Sequence, residues 1–292
     1  MAQTDLAQVA AQVQTFWAPL FMKELREGLL LAALVNKEYD GVIKGKGSTV
    51  RVSQVNAPEG QMRTVGTDAD TFDSAPLVTQ YVDVVADKRF VASFEFEDLV
   101  QIQSQIGEQD SDIREALKFS MEKKINTYLY SLLSPTTSSP DHLVTGVTDF
   151  NAVQLSSVRK LAAQAKWLKN KGWYGLLDPS YYTDLLNAQT ITSTDYVPDS
   201  PVVGGQIATQ RFGFNLLEDN SSGLAANSAS SEDVALFFHP DFMHFVTQVE
   251  PTFKISDLHS NKKFGFVISV DLIGGAKLGI EGNKKHIVVK NS

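Results

Sequence analysis

The chain has 292 residues, 43% apolar and 21% charged, which is enough to bury the core of two ordinary domains or one elaborate one. Its net charge of −8 argues against a protein whose main work is binding nucleic-acid phosphates, because that binding needs clustered lysine and arginine. The absence of cysteine excludes disulfides, thiolate nucleophiles, iron–sulfur clusters and Cys-type zinc sites.

The N-terminus lacks the basic start and continuous apolar stretch of a signal peptide. The longest apolar run, Leu29 to Val35, is far short of the roughly 20 residues of a membrane span, so a soluble chain with no membrane partner is expected. Residues 4–35 read as helix. Leu6, Val9, Val13, Phe16 and Trp17 recur at three- and four-residue steps, Pro19 restarts the helix, and Phe21, Leu25, Leu29 and Ala32 continue the stripe. Taken alone, the stripe faces the core of its own domain.

Residues 41–98 change to strand signals. Val50 and Val52 share a face, Val82 and Val84 alternate with Asp83, and Phe90, Ala92, Phe94 and Phe96 share one side of KRFVASFEFED. Between them, Asn56 to Pro76 is polar, rich in Gly, Asp and Thr, and without period. A loop this long is usually functional. A two-stranded projection with such a tip cannot bury itself and needs something to lie on.

A helix is expected over 110–133. Ile113, Ala116, Leu117, Met121, Ile125, Tyr128, Leu129 and Leu132 form its stripe, with Asp110 or Ser111 as cap. After the break SPTTSSPD, a helix starts at Asp149 or Asn151 with Val153, Val158, Leu161, Ala165 and Leu168 on one side and Gly172 as its stop. In KGWYGLLDPSYYTDLL, Trp173–Leu177 reads as a buried strand. Asp178 then caps a helix that opens with Pro179. VALFFHPDFMHFV repeats the construction: a strand, His239-Pro240, and a short helix. Helices covering a central sheet follow from the two units, and Phe264 to Val289 returns to strands.

The residues able to carry chemistry have plainer roles available. His239 and His244 are five apart, which turns them about 140° on a helix, so they do not converge on a metal; a helix-start His and a partly exposed His are expected. KGKGS lacks the spacing and following helix of a phosphate loop. Asp178 and Asp184 could be cast as paired carboxylates, but one is better explained as a cap and the other as exposed. Glu95 and Glu97 lie opposite the phenylalanines on a solvated or interface face. No catalytic residue, metal or cofactor is expected.

The order of parts carries more than any motif. VADKRFVASFEFEDLVQ leads into EALKFSMEKKINTYLYSLL. KGWYGLLDPSYYTDLL, QIATQRFGFNLLEDNSSG and VALFFHPDFMHFVTQVE follow. This order resembles the major capsid proteins of tailed bacteriophages, with their α+β Hong Kong 97-type fold, over nearly the whole chain. The resemblance implies an N-terminal arm at 1–40, an extended loop at 41–96, a peripheral domain with a spine helix at 97–140 and 251–292, and an axial domain at 141–250. It implies a subunit that self-assembles into pentamers and hexamers of an icosahedral head, in the host cytoplasm and then in the virion. It turns the N-terminal stripe into a contact with a neighbour. Portal, decoration proteins and packaged double-stranded DNA, bound without sequence specificity, are the implied partners. Some members cross-link through a loop lysine, and none occurs here between Lys46 and Lys88, so a non-covalent shell is expected. The arm-like stripe starts close to Met1, which implies a separate scaffolding protein. Trp17, Glu59, Arg63, Asp68 and Asp70 are the candidate assembly residues and Asp178 a structural cap. An encapsulin-type compartment shares the fold and remains an alternative, as does a carboxylate-dependent hydrolase.

Overall fold

The computed structural model describes residues 28–39, 42–43, 48–62, 74–97, 110–133, 142–169, 171–192, 202–203, 206–207, 210–225, 233–259 and 264–291. Two sheets share one long helix. The first sheet has the order β10-β11-β3, formed by β3 (Lys88–Phe96), β10 (Met243–Asp257) and β11 (Phe266–Leu278), all antiparallel. Opposite partners Leu272↔Phe90, Val270↔Ala92 and Ile268↔Phe94 stand in one face of its pleat. That face packs against helix α2 (Asp110–Ser131), where Leu117, Met121, Ile125 and Leu129 are buried at three- and four-residue steps. A short helix α1 (Leu30–Leu34) lies on α2, and the amide of Ala32 donates to the buried Asn126 side chain at 3.2 Å.

The second sheet runs β4-β12-β9-β5-β8. Its members are β4 (Leu143–Val144), β5 (Trp173–Leu177), β8 (Phe214–Glu218), β9 (Val234–Phe238) and β12 (His286–Lys290). Both faces are covered, which is why VALFF and WYGLL are continuous apolar runs. Leu176, Leu236, Phe238 and Val288 point into the core shared with α2. Leu177, Ala235, Phe237, Ile287 and Val289 point into a second core under α3 (Ala152–Gln164) and α4 (Pro179–Asn187). The remaining described elements are a small hairpin, β6 (Val202–Val203) with β7 (Gln206–Ile207), and two one-turn helices, α5 (Gln189–Thr192) and α6 (Ser222–Ala225).

The structure departs from expectation at several points. Helix α3 buries Leu155, Val158 and Ala162, while Val153 is 68% exposed. Val153 and Val158 are five residues apart, about 140° round a helix, so they cannot share a face. The helix stops at Gln164, well before Gly172. Lys166 takes the left-handed conformation (φ 58°), and the amides of Lys166 and Trp167 bond back to Ala163 and Ala162 at 3.0 and 3.2 Å. This is a Schellman turn with lysine where glycine is usual, and Leu168 lies outside the helix altogether. After Pro240 the helix is a single 3-10 turn (Pro240–Phe242), and the chain at once enters the fifteen-residue β10. Pro251 hid that strand in the sequence; it sits where the ladder shifts register between Val249 and Thr252. The last strand, β12, does not lie beside β11 but between β4 and β9 in the second sheet. Phe94 is 44% exposed, at the end of β3 next to the residues that lead towards α2.

Candidate functional site

A two-stranded ribbon, β1 (Thr49–Val55) with β2 (Thr79–Val85), paired antiparallel from Thr49↔Val85 to Val55↔Thr79, and its flanking residues carry much of the exposed apolar surface among the described residues. Its base is anchored. Val50, Val52, Val84 and Ala86 are buried with Ile43 and Val246. The backbone of Val85 presses on β11 at Gly275, where a Cβ would overlap the Val85 carbonyl oxygen. Arg51 clamps the pair by giving Nε and Nη2 hydrogens to the two carboxylate oxygens of Asp83 at 2.7 and 2.9 Å, and its guanidinium lies 4.2 Å over the Tyr81 ring. The Arg51 hydrogen bonds hold the Asp83 carboxyl below its usual range.

Beyond the base the ribbon carries a series of exposed apolar side chains. Val55, Leu77, Val78 and Tyr81 are all more than half exposed, and Met62 is fully exposed. Glu59 is exposed, in the polar stretch that follows β1 after Val55. Trp17, Arg63, Asp68 and Asp70 lie outside the described residues.

A polar clasp ties residues 36–39 to the turn before β10. Asp241 Oδ1 accepts from Asn36 Nδ2 at 2.7 Å and from Lys171 Nζ at 2.9 Å, and Lys171 also reaches Glu38 Oε1 at 2.9 Å. Burial pushes the Asp241 carboxyl up, but the Lys171 ammonium and the Asn36 amide outweigh it and leave it below the usual carboxylate range. His239 caps the 3-10 turn by accepting from the Asp241 amide at 3.2 Å. His244 is buried rather than partly exposed, because Asn36 bridges to it and the Tyr39 ring meets it edge-on at 5.4 Å. The two imidazoles are not joined in a ligand set, and no group of three His, Cys, Asp or Glu among the described residues could hold a metal ion.

Asp178 and Asp184 are each committed to a backbone donor. Asp178 Oδ2 accepts from the Ser180 amide at 3.3 Å at the start of α4. Burial pushes its carboxyl up, with the Ser180 amide working in the opposite direction and the Asp233 charge adding to the rise. Asp184 is not on an exposed face as expected: it is half-buried and Oδ2 accepts from the Phe150 amide at 3.1 Å. Glu95 and Glu97 are exposed.

The family model for phage capsid proteins matches residues 41–284. The chain belongs to that family. Three solved structures share the fold of this capsid protein. One from Mycobacterium phage Che8 has a TM-score of 0.74 at 19% identity, covering 95% of this chain and 96% of that one. The capsid structure of cyanophage P-SCSP1u has a TM-score of 0.72 at 11% identity, covering 97% and 94%. The capsid asymmetric unit of cyanophage Pam1 has a TM-score of 0.71 at 14% identity, covering 99% and 98%. No curated protein gives a sequence match. The protein is a major capsid protein of the Hong Kong 97-type α+β fold, and it forms the phage head.

Several features of this capsid protein escape a linear reading. Arg51 and Asp83 stand opposite only once the ribbon register is known. The buried Tyr130 hydroxyl donates to Asp219, and the Tyr130 ring packs so closely on Gly223 that no Cβ fits there. The one visible signal was the Gly274-Gly275 pair inside an apolar strand, a mark of close backbone approach. Asp178→Ala is expected to lower stability by about 1 kcal/mol, the usual worth of a helix cap, and to leave assembly intact. Thermal unfolding and particle yield measured on the same variant check both halves.

Proposed function

We propose that this chain is the repeating subunit of a non-covalent shell, in which the β1–β2 ribbon lies across the next copy. The observation that carries this is the exposure of four apolar residues, Val55, Leu77, Val78 and Tyr81, on a two-stranded ribbon anchored at its base. Such a ribbon is marginal alone and gains stability by covering a neighbour. No lysine occurs between Lys46 and Lys88, so the distal ribbon offers no amine for a cross-link.

In this reading residues 1–40 form an N-terminal arm with Trp17 buried against a neighbour, and 41–96 form the extended loop. Residues 97–140 and 251–292 form the peripheral domain with α2 as its spine, and 141–250 the axial domain, which borrows β12 for its sheet. Glu59, Arg63, Asp68 and Asp70 make polar contacts between copies. Each exposed pair is worth under about 1 kcal/mol, so the shell rests on their number. A separate scaffolding protein, a portal and decoration proteins complete the head. It encloses double-stranded DNA without sequence-specific contacts, which suits a subunit of net charge −8. Assembly takes place in the host cytoplasm, and no reaction is assigned to the chain.

Electron microscopy of the purified protein, alone and with its virion partners, tests the reading. Pentamers, hexamers or closed shells are expected. A chain that stays monomeric under all these conditions would sink it.

A further inference from the structure

A cleft of about 600 Å³ opens between the ribbon and the second sheet. Gln54 forms one rim, and Trp167 and His239 lie at its buried end. Gln164, Ala165 and Leu168 also line it, and five charged residues complete the wall: Lys166, Lys284 and Lys285, with Glu281 and Asp241. Both carboxylates are engaged within the chain, Glu281 with Lys284 at 3.0 Å and Asp241 with Lys171 at 2.9 Å. Lys285 gives a hydrogen to the Ile280 carbonyl at 2.9 Å, and Lys166 has no ion-pair partner among the described residues. The cleft is left with an excess of cationic charge.

Two backbone outliers border the same space. Lys166 (φ 58°) and Glu281 (φ 55°) are two of the three non-glycine residues in the left-handed region among the described residues. Glycine takes that conformation without strain, whereas an L side chain costs roughly 1–2 kcal/mol there. Among the described residues the only ion pair made by either side chain is the exposed Glu281–Lys284 contact, which does not offset that cost. Charged side chains kept at strained positions on a cleft rim point to a contact outside the subunit.

The chain itself contains a complementary segment. Residues 56–76 carry Glu59, Asp68, Asp70 and Asp73 against a single Arg63. We propose that the cleft walled by Lys166, Lys284 and Lys285 receives this acidic tip from a second copy. The proposal rests on the shell reading above and names the surface on which the tip of each ribbon lands.

A charge-swap experiment tests it. Lys166→Glu with Lys284→Glu, and separately Asp68→Lys with Asp70→Lys, are each expected to lower the yield of closed shells at least about tenfold, since like charges then face each other. Lys166 and Lys284 are both exposed, and circular dichroism of every variant should match the parent. The four combined in one chain should restore shells, because every reversed tip then finds a reversed cleft on another copy. Normal shells from either charge-reversed pair, or no rescue in the combined chain, would overturn the proposal. A urea midpoint of disassembled subunits that falls in each charge-reversed pair and recovers in the combined chain would make the contact internal to one copy and also overturn it. If the parent protein forms no shell, the shell reading itself fails, which is a separate outcome.

Discussion

A chain lacking residues 56–76 is expected to fold and to stop short of closed shells. The folded part does not depend on the segment: it begins after Val55, the last residue of β1, and its described residues, 56–62 and 74–76, are mostly exposed. The ribbon base is held from the other end by Val50, Val52, Val84 and Ala86 on Val246, and the Arg51–Asp83 clamp lies well inside the deletion points. A short Asn-Gly connection can close the shortened hairpin. What the deletion removes is the reach to another copy. Pentamers and hexamers held by the remaining surfaces should persist while closed particles disappear. Sedimentation and electron microscopy of the deleted and parent chains decide the matter, and normal shells from the deleted chain would refute the role of the ribbon tip.

Acid should weaken the subunit by about 3 kcal/mol between neutral pH and pH 4 through His286 alone. Its ring is fully buried in β12, Nδ1 faces the Gly282 carbonyl at 2.8 Å, and burial pushes its pKa down to about 4. The carbonyl can only accept, so Nδ1 carries the proton of the neutral ring. The folded pKa lies below the unfolded value of about 6.5. Below that value the unfolded chain takes up a proton that the folded chain refuses. The stability is therefore complete above about pH 6.5 and is lost as pH falls towards 4, at about 1.4 kcal/mol per pH unit. Burial lowers His239 and His244 as well, which acts in the same direction. His286→Gln keeps a donor for Gly282 without a titrating ring. Urea unfolding of disassembled subunits at pH 7, 6, 5 and 4 should show a flatter pH dependence for this variant than for the parent. Equal slopes would show that His286 is not a source of the acid sensitivity.

The elements with strong local signals were legible from the residues. Trp173–Leu177, the Asp178-Pro179 junction and the 110–131 helix each announce themselves by an unbroken apolar run, a capping pair or a long stripe. The end of α3 was not legible, because a lysine took the left-handed position that glycine marks elsewhere. Nor was β10, whose sequence VTQVEPTFKISD contains a proline that the bulge accommodates. The ribbon was legible as a projection with nothing of its own to lie on. Its clamp, the clasp around Asp241 and the charged cleft were not. Each joins residues that are far apart in the chain, as Lys171 is from Glu38, and only the register and packing bring them together.

The position of β12 has a consequence for synthesis. Residues 286–290 fill the gap between β4 and β9, so the second sheet cannot close until the ribosome has passed residue 290. Until then β9 offers an open edge and β4 has no neighbour. Subunits cut short before this strand lack the middle of a layer and should be cleared as unfolded chains. Such a design lets only subunits translated through β12 compete for a place in the growing head.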